Sequence, residues 1–391
     1  MKRGSSCRSR PVSLCYSVDV MKRVLLTTGI FFPDVGGPAV HVRKIAEHFT
    51  SLGWKVTVVA FGDYANSAET YKVIRVSRTW GKLISWKLYT LAVAFESLRH
   101  DVIYAFDLTT AGVPSALFAK LFRKPFILRI GGDSIWERVV EKGERFLPMH
   151  AYYEQGFFKK DNPTLYRLVR FVVRSADTVV IPCDFLEDIY VKYYGVSEKN
   201  IIQINNPFSP KVAPILEKDT FTFLFAGRFV SYKNLPLVLK AFGNIAERNP
   251  QARLVLIGDG PEEMALKKQA ELLGDRVEII PKVDQKNLFA HINASSVALA
   301  PALTEFNPNF ILEALALGKP ALISRDNGLS AQLPGSMQFD PMDGNSLEAA
   351  MERMLDAIHY NEALRVVAEL PMNQTWEKVV AEHAEIVKSN L

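Results

Sequence analysis

Two glutamates, Glu305 and Glu313, stand eight positions apart in the segment from Thr304 to Pro320. Asn307 is expected to cap a helix there, because its side chain can accept from free first-turn amides. Pro308 fits the first helical position, where no N–H is needed, and Gly318 and Pro320 close the helix. The preceding run Val297–Pro301 reads as a buried strand. A strand thus delivers Glu305 into a loop, and the loop aims a helix N-terminus at whatever Glu305 touches. Amides and dipole suit phosphate, and carboxylates suit hydroxyls, so the pattern fits an anionic ligand that carries hydroxyls. The alternative is a capped helix with Glu313 on a wet face.

Two further loops offer complementary groups. Gly227 to Asn234 places Arg228 and Lys233 between a strand and a helix. A guanidinium fork and a mobile ammonium together can neutralise a diphosphate. Gly36-Gly37, in the loop after the first strand, lets backbone approach a ligand closely and turns amides toward it. Neither GxGxxG nor a P-loop is present, which removes support for a nicotinamide dehydrogenase or a P-loop kinase. Gly258-Asp259-Gly260-Pro261 is a turn signal, and the exit loop of Val277 to Asp284 is a place for a nucleotide base. His41, His48 and His291 read as helix-surface residues, and no GxSxG elbow points to a hydrolase.

These loops need a scaffold, and the chain provides one twice. Strands are expected at Val24–Thr28, Val56–Ala60, Lys72–Val76, Val102–Ala105, Phe126–Ile130, Thr178–Ile181 and Ile201–Ile204, with helices between most of them. The helix over His41 to Leu52 carries Val42, Ile45, Ala46 and Phe49 at helical spacing. After the Pro-rich stretch Asn205–Lys218 the alternation restarts at Phe221 and runs through Ala321–Ser324. The reading is α/β, with two Rossmann-like doubly wound sheets facing across a cleft. The expected divisions are 1–20, a disordered or non-native leader; 21–208, an acceptor-side domain; 209–370, a nucleotide-binding domain; and 371–391, a helix returning toward the first domain.

Length and composition agree with a two-domain globular protein. Of 391 residues 48% are apolar, and no apolar run reaches the length needed to span a bilayer. Cys7, Cys15 and Cys183 lack metal spacing, and so odd and sparse a set argues against a disulfide framework, which points to a reducing cytoplasm. Residues 1–210 hold 29 Lys and Arg against 19 Asp and Glu, while the remainder holds 18 against 23. A basic first half suggests an anionic partner, such as a membrane surface on the inner face or a phosphorylated acceptor. No aromatic-basic platform, zinc knuckle or helix-turn-helix pattern points to nucleic acid. Trp80 to Phe95 mixes Trp86, Leu88, Tyr89 and Leu91 with Lys82 and Lys87, a composition for touching a bilayer or for a packed helix.

From Met21 to its end the chain resembles the retaining glycosyltransferases of family four, the glycosyl transferases group 1, with the GT-B fold. The family's E-x7-E falls on Glu305 and Glu313, and Ala314-Leu315-Ala316-Leu317-Gly318-Lys319-Pro320 follows as in its EA-x-A-x-G-x-P. Its Gly-Gly loop matches Gly36-Gly37, and its cation pair matches Arg228 and Lys233. The resemblance implies a nucleotide-diphosphate sugar donor, UDP- or GDP-linked, and a carbohydrate or lipid-linked acceptor. It implies Arg228 and Lys233 on the diphosphate, Glu313 on the ribose, and Glu305 on the sugar beside the anomeric carbon. Amides near Asn309 and Phe310 would reach the sugar or diphosphate. Transfer would retain configuration by front-face attack, without a metal.

Two departures stand out. Gly131-Gly132-Asp133 occupies the place of a first-domain histidine, so Asp133 is a candidate for sugar or acceptor contacts, or else a structural turn. Phe306-Asn307-Pro308-Asn309 stands where Gly-Phe-Gly is common. The rival readings are a sugar-nucleotide epimerase of the same fold and a non-catalytic nucleotide-sugar-binding protein.

Overall fold

The computed structural model of the protein describes residues 21–34, 37–63, 69–208 and 220–391. The expected leader, Gly36 and most of the Pro-rich stretch lie outside the described residues. In the first half β1 (Arg23–Thr27), α1 (Gly37–Ser51), β2 (Lys55–Phe61), β3 (Lys72–Val76), α2 (Lys82–Ser97), β4 (Val102–Ala105), α3 (Gly112–Phe122) and β5 (Phe126–Arg129) follow one another. Four helices come next: α4 (Ser134–Glu141), α5 (Met149–Glu154), α6 (Phe157–Lys160) and α7 (Pro163–Ser175). Then come β6 (Thr178–Ile181), α8 (Asp184–Ile189) and β7 (Ile201–Gln203). The second half runs β8 (Phe221–Ala226), α9 (Leu235–Ala246), β9 (Ala252–Ile257), α10 (Glu263–Glu271), β10 (Val277–Ile280), α11 (Gln285–Ala294), β11 (Val297–Ala300), α12 (Asn309–Ala316) and β12 (Ala321–Ser324). It ends with β13 (Gln338–Phe339), α13 (Gly344–Leu355), α14 (Ala357–Glu369) and α15 (Trp376–Ser389).

Two sheets result, ordered β3-β2-β1-β4-β5-β6-β7 and β10-β9-β8-β11-β12-β13. Every strand pair in both is parallel. Parallel strands buried on both faces need apolar residues at successive positions, which the runs Val24-Leu25-Leu26 and Val297-Ala298-Leu299 supply. Alternation then sorts them. Leu25 packs with residues of α2, α3 and α7 on one face of the first sheet, whereas Val24 and Leu26 pack with α1 and α15 on the other. In each sheet the order turns back beside the first strand, β1 or β8, so a crevice opens at its carboxyl end. The Gly-rich loop leaves β1 there, and the Arg228–Lys233 loop leaves β8 there.

The last helix belongs to the core of the first sheet. Val379, Ala384 and Val387 are buried beside α1 and β1, and the Tyr104 hydroxyl lies 2.6 Å from His383 Nδ1. Differences from the sequence reading are local. Helix α1 starts at Gly37, four residues before the expected His41, and the two-residue β13 has too short a pattern to be foreseen.

Candidate active site

Glu305 is 5% exposed, and both its oxygens accept from Lys233 Nζ, at 2.7 and 2.9 Å. The backbone holds it in place. Its N–H donates to the Asp326 carbonyl at 3.0 Å and its own carbonyl accepts from Gly328 N at 2.8 Å. Lys233 ends a tight 3-10 turn, Ser231–Lys233, and Asn234 follows in the left-handed region at φ 55° with its side chain donating to the Pro341 carbonyl. That fold-back turns Lys233 toward the loop after β11. The carboxylate and the ammonium predicted at separate points are therefore one ion pair.

Beside this pair, between the two halves, lies a cavity of about 530 Å³. Gly37, Arg228, Asn309, Phe310 and Glu313 all line it. Gly37 and Asn309 face each other across the cleft, since a Cβ on Gly37 would lie 3.8 Å from Asn309 Nδ2. Asn309 Oδ1 is buried without a partner. Glu313 accepts from Gln285 Nε2 at 3.2 Å, and burial pushes its carboxyl up. Arg228 is largely exposed, 3.8 Å from Glu141 across the cleft. Gly258 must lack a side chain, because a Cβ there would lie 1.9 Å from the Gly227 carbonyl oxygen. Lys282 and Val283 form the far end, from the exit loop marked for a base. Glu305, Lys233 and Asp133 are not among the lining residues; the ion pair joins the two loops that carry the lining residues Arg228 and Asn309.

His41 corrects the sequence reading. It is buried, not on the helix surface, and lines the cavity with its ring 4.8 Å from Trp376. Its Nδ1 lies 3.1 Å from the Gly37 carbonyl oxygen, and burial, with Arg129 nearby, lowers its pKa well below the ordinary value. The signal was present in the sequence. His41 precedes Ile45 and Phe49 by one and two steps of four, on the same inward stripe.

Of the two readings of Asp133, a contact in the cleft and a structural turn, the structure supports the second. Asp133 is fully buried and caps α4, accepting at Oδ1 from Ile135 N (3.1 Å) and Trp136 N (2.7 Å). Its Oδ2 accepts from the Tyr153 hydroxyl at 2.6 Å. Both oxygens are committed inside the first domain, so Asp133 presents nothing to the cleft. The acid that faces the second domain from this loop is Glu137, in the first turn of α4, which the sequence reading passed over. Burial, with Asp133 and Glu141 close by, pushes its carboxyl up to about 8, while Lys233 and Arg228 pull the other way.

Asn307 is not the helix cap. Pro308 holds that position without a side-chain bond, and α12 begins at Asn309. Asn307 has φ 88° and is buried between the two halves. Its Nδ2 donates to the Pro182 carbonyl of the first half at 3.2 Å, and its Oδ1 accepts from Ser330 N and Oγ. Its carbonyl accepts from Asn206 Nδ2 at 2.9 Å, and Asn206 Oδ1 accepts from buried Arg129. Phe306 enters the first domain too, edge-on to Trp136 at 6.0 Å. A Cβ on Gly132 would be 3.6 Å from the Phe306 ring and 2.4 Å from Glu137 Oε1. The two departures from the family pattern thus touch. Glycine at 132 makes the room that Phe306 and Glu137 fill.

Residues 35–212 match the model described as Glycosyltransferase Family 4, and residues 210–357 match Glycosyl transferases group 1. The chain is 21% identical over 384 residues to a phosphatidylinositol N-acetylglucosaminyltransferase subunit of Arabidopsis thaliana, covering 93% of this chain and 81% of that one. It is 22% identical to alpha-monoglucosyldiacylglycerol synthase of Streptococcus pneumoniae, covering 84% and 78%. Among solved structures, Anabaena HepE in complex with UDP and glucose superposes with a TM-score of 0.73 at 16% identity, covering 94% of this chain and all of that one. The chain belongs to the family-four, group 1 glycosyltransferases and has the GT-B fold.

Proposed function

We propose that this enzyme moves a hexose-type sugar from a nucleotide diphosphate to a lipid-linked or polysaccharide acceptor, with retention of anomeric configuration. One observation carries the reading: a cavity between the two halves brings together Arg228, Glu313 and the start of α12, while Lys233, in the Arg228 loop, pairs with Glu305, in the loop that leads into α12. The base lies toward Lys282 and Val283, and the ribose hydroxyls bond to Glu313. Arg228, Lys233 and the first-turn amides of α12 take the diphosphate. UDP is the leading nucleotide, because HepE was solved with it. The two relatives, whose names specify phosphatidylinositol and a diacylglycerol, support a lipid acceptor.

In the reaction the bond between the anomeric carbon and the distal phosphate oxygen breaks. Glu305 faces the positive charge that grows on the carbon. Lys233, released in part from Glu305 by the arriving phosphate, faces the negative charge that grows on the leaving diphosphate. The acceptor hydroxyl attacks from the same side, and its proton passes to the departing phosphate oxygen. Arg228, Lys233 and the helix dipole supply the positive charge this step needs, so the mechanism routes nothing through a metal. Docking of the two halves through Phe306 and Asn307 keeps water from the donor. The free, buried Cys183 accords with a cytoplasmic setting.

Incubation with UDP- and GDP-hexoses plus a diacylglycerol or prenyl-phosphate acceptor tests this. The expected product is a glycosylated acceptor whose anomeric coupling constant matches the donor. An epimerised nucleotide with no acceptor product would instead establish the rival activity.

A further inference from the structure

Helices α2, α3 and α7 lie side by side on one face of the first sheet. The inner side of α2 is ordinary, with Ser85, Tyr89 and Val93 buried. Its outer side is not. Ile84, Lys87, Leu91, Phe95 and Leu98 follow at spacings of three, four, four and three, a single outward stripe. Leu91 is 64% exposed, Phe95 52% and Leu98 59%. A surface helix in water keeps polar residues on that side. The stripe continues onto Leu117 and Leu121 of α3 and Leu168 of α7, all exposed, and Trp80 and Trp86 stand exposed at the start of α2. Elsewhere exposed apolar side chains such as Met264, Leu272 and Ile358 are scattered, which is normal for a protein surface.

Charge on this face has one sign. The only acid within the three helices is Glu96, which is buried and paired with Lys72. At the far ends of α3 and α7 a second cavity, about 650 Å³, is lined by Lys120, Arg123, Lys124 and Arg174. Its single acid, Asp177, accepts from Phe126 N. Among the described residues none of these four cations lies within ion-pair distance of a carboxylate; Lys120 instead sits 5.5 Å over the Phe171 ring of α7, and Lys124 acts on Asp101 only from farther off. Exposed aliphatic and indole groups beside unpaired cations match the two layers of an anionic bilayer surface, acyl chains and phosphate headgroups. A second copy of this chain fits poorly, since a twofold contact would set cations against cations.

We propose that the joined outer faces of α2, α3 and α7 form a docking surface for an anionic phospholipid bilayer, with the cavity at Lys120 and Arg174 receiving lipid phosphates. This stands apart from the transfer reading, because vesicle binding needs no donor and is measured without one. The test is flotation of the full chain with vesicles of phosphatidylglycerol and phosphatidylcholine in equal parts, and with phosphatidylcholine alone. Binding is expected to the mixed vesicles, weakly to phosphatidylcholine, and to fall as salt rises. Leu91→Glu with Phe95→Glu should weaken it at least about tenfold, and Lys120→Gln with Arg174→Gln about twentyfold. Both variants replace exposed groups, so their melting temperatures should match the wild type. Absence of wild-type binding to the mixed vesicles, or equal binding by the variants, overturns the proposal. So does a wild-type dimer in sedimentation that the Leu91→Glu, Phe95→Glu chain no longer forms, which would give the face to a second copy.

Discussion

The segment around Glu305 and the segment around Glu313 belong to one sequence motif but sit in opposite physical states. Glu305 is nearly inaccessible, with both oxygens on Lys233 and its backbone clamped to the 326–328 loop. Glu313 opens onto the cavity with one bond from Gln285, and burial without a cation pushes its carboxyl up. The back of the site has its charges matched before any ligand arrives. The front is left incompletely satisfied, as Asn309 Oδ1 also shows, and can take hydroxyls and phosphates. Preorganisation belongs where charge develops during reaction, and adaptability belongs where the ligand is recognised.

The largest effect should come from breaking the back. Lys233→Ala leaves the Glu305 carboxylate buried and alone, so stability should fall by about 3 kcal/mol. Transfer should fall at least about a hundredfold. Chemical denaturation and steady-state rates check both, and an unchanged midpoint would remove the contrast between the two glutamates. Next comes the joint that seats the back against the first domain. Asn307→Ala deletes the bonds to Pro182 and Ser330 and strains a positive φ, at about 2 kcal/mol. Asn307→Gly keeps the backbone conformation and should recover part of that loss in the same denaturation series.

Glu137 sharpens the comparison from the opposite wall. Its folded carboxyl titrates near 8 rather than near 4.5. Between those values the folded state holds a proton that the unfolded chain has lost, so this group lowers stability as pH rises through that window. Glu137→Gln should flatten the decline, gaining on the order of 1 kcal/mol at pH 8 and almost nothing at pH 4. Melting curves across that range that run parallel to the wild type would contradict the assignment. The smallest effect should come from Asp133→Asn. It weakens a cap and the Tyr153 bond by about 1 kcal/mol and leaves KM for the donor unchanged. A raised donor KM would return Asp133 to the cleft.

Much of this site was legible in the chain, and the limits have a physical reason. Periodicity announced both parallel sheets, because strands buried on both faces and one-sided helices leave strong patterns. Loop chemistry marked Arg228, Lys233, Glu305 and Glu313. What could not be read was partnership. Nothing local says that Lys233 meets Glu305, or that His383 of the last helix meets Tyr104; these pairs join through the fold. Asn307 misled because an asparagine before proline suits a cap and a left-handed joint equally well. Asp133 could be read either as a ligand contact or as a structural turn, and only the fold decides: one oxygen satisfies a helix start and the other the Tyr153 hydroxyl.

The central claim is that ribose binds at Glu313 and diphosphate at Arg228 within one cavity. Calorimetric titration of uridine and of UDP into the wild type, Arg228→Ala and Glu313→Gln tests it most directly. Arg228→Ala should weaken UDP at least about tenfold and leave uridine unaffected. Glu313→Gln should weaken both by similar factors. Equal losses for uridine and UDP in Arg228→Ala, or UDP affinity untouched by either change, would contradict the account.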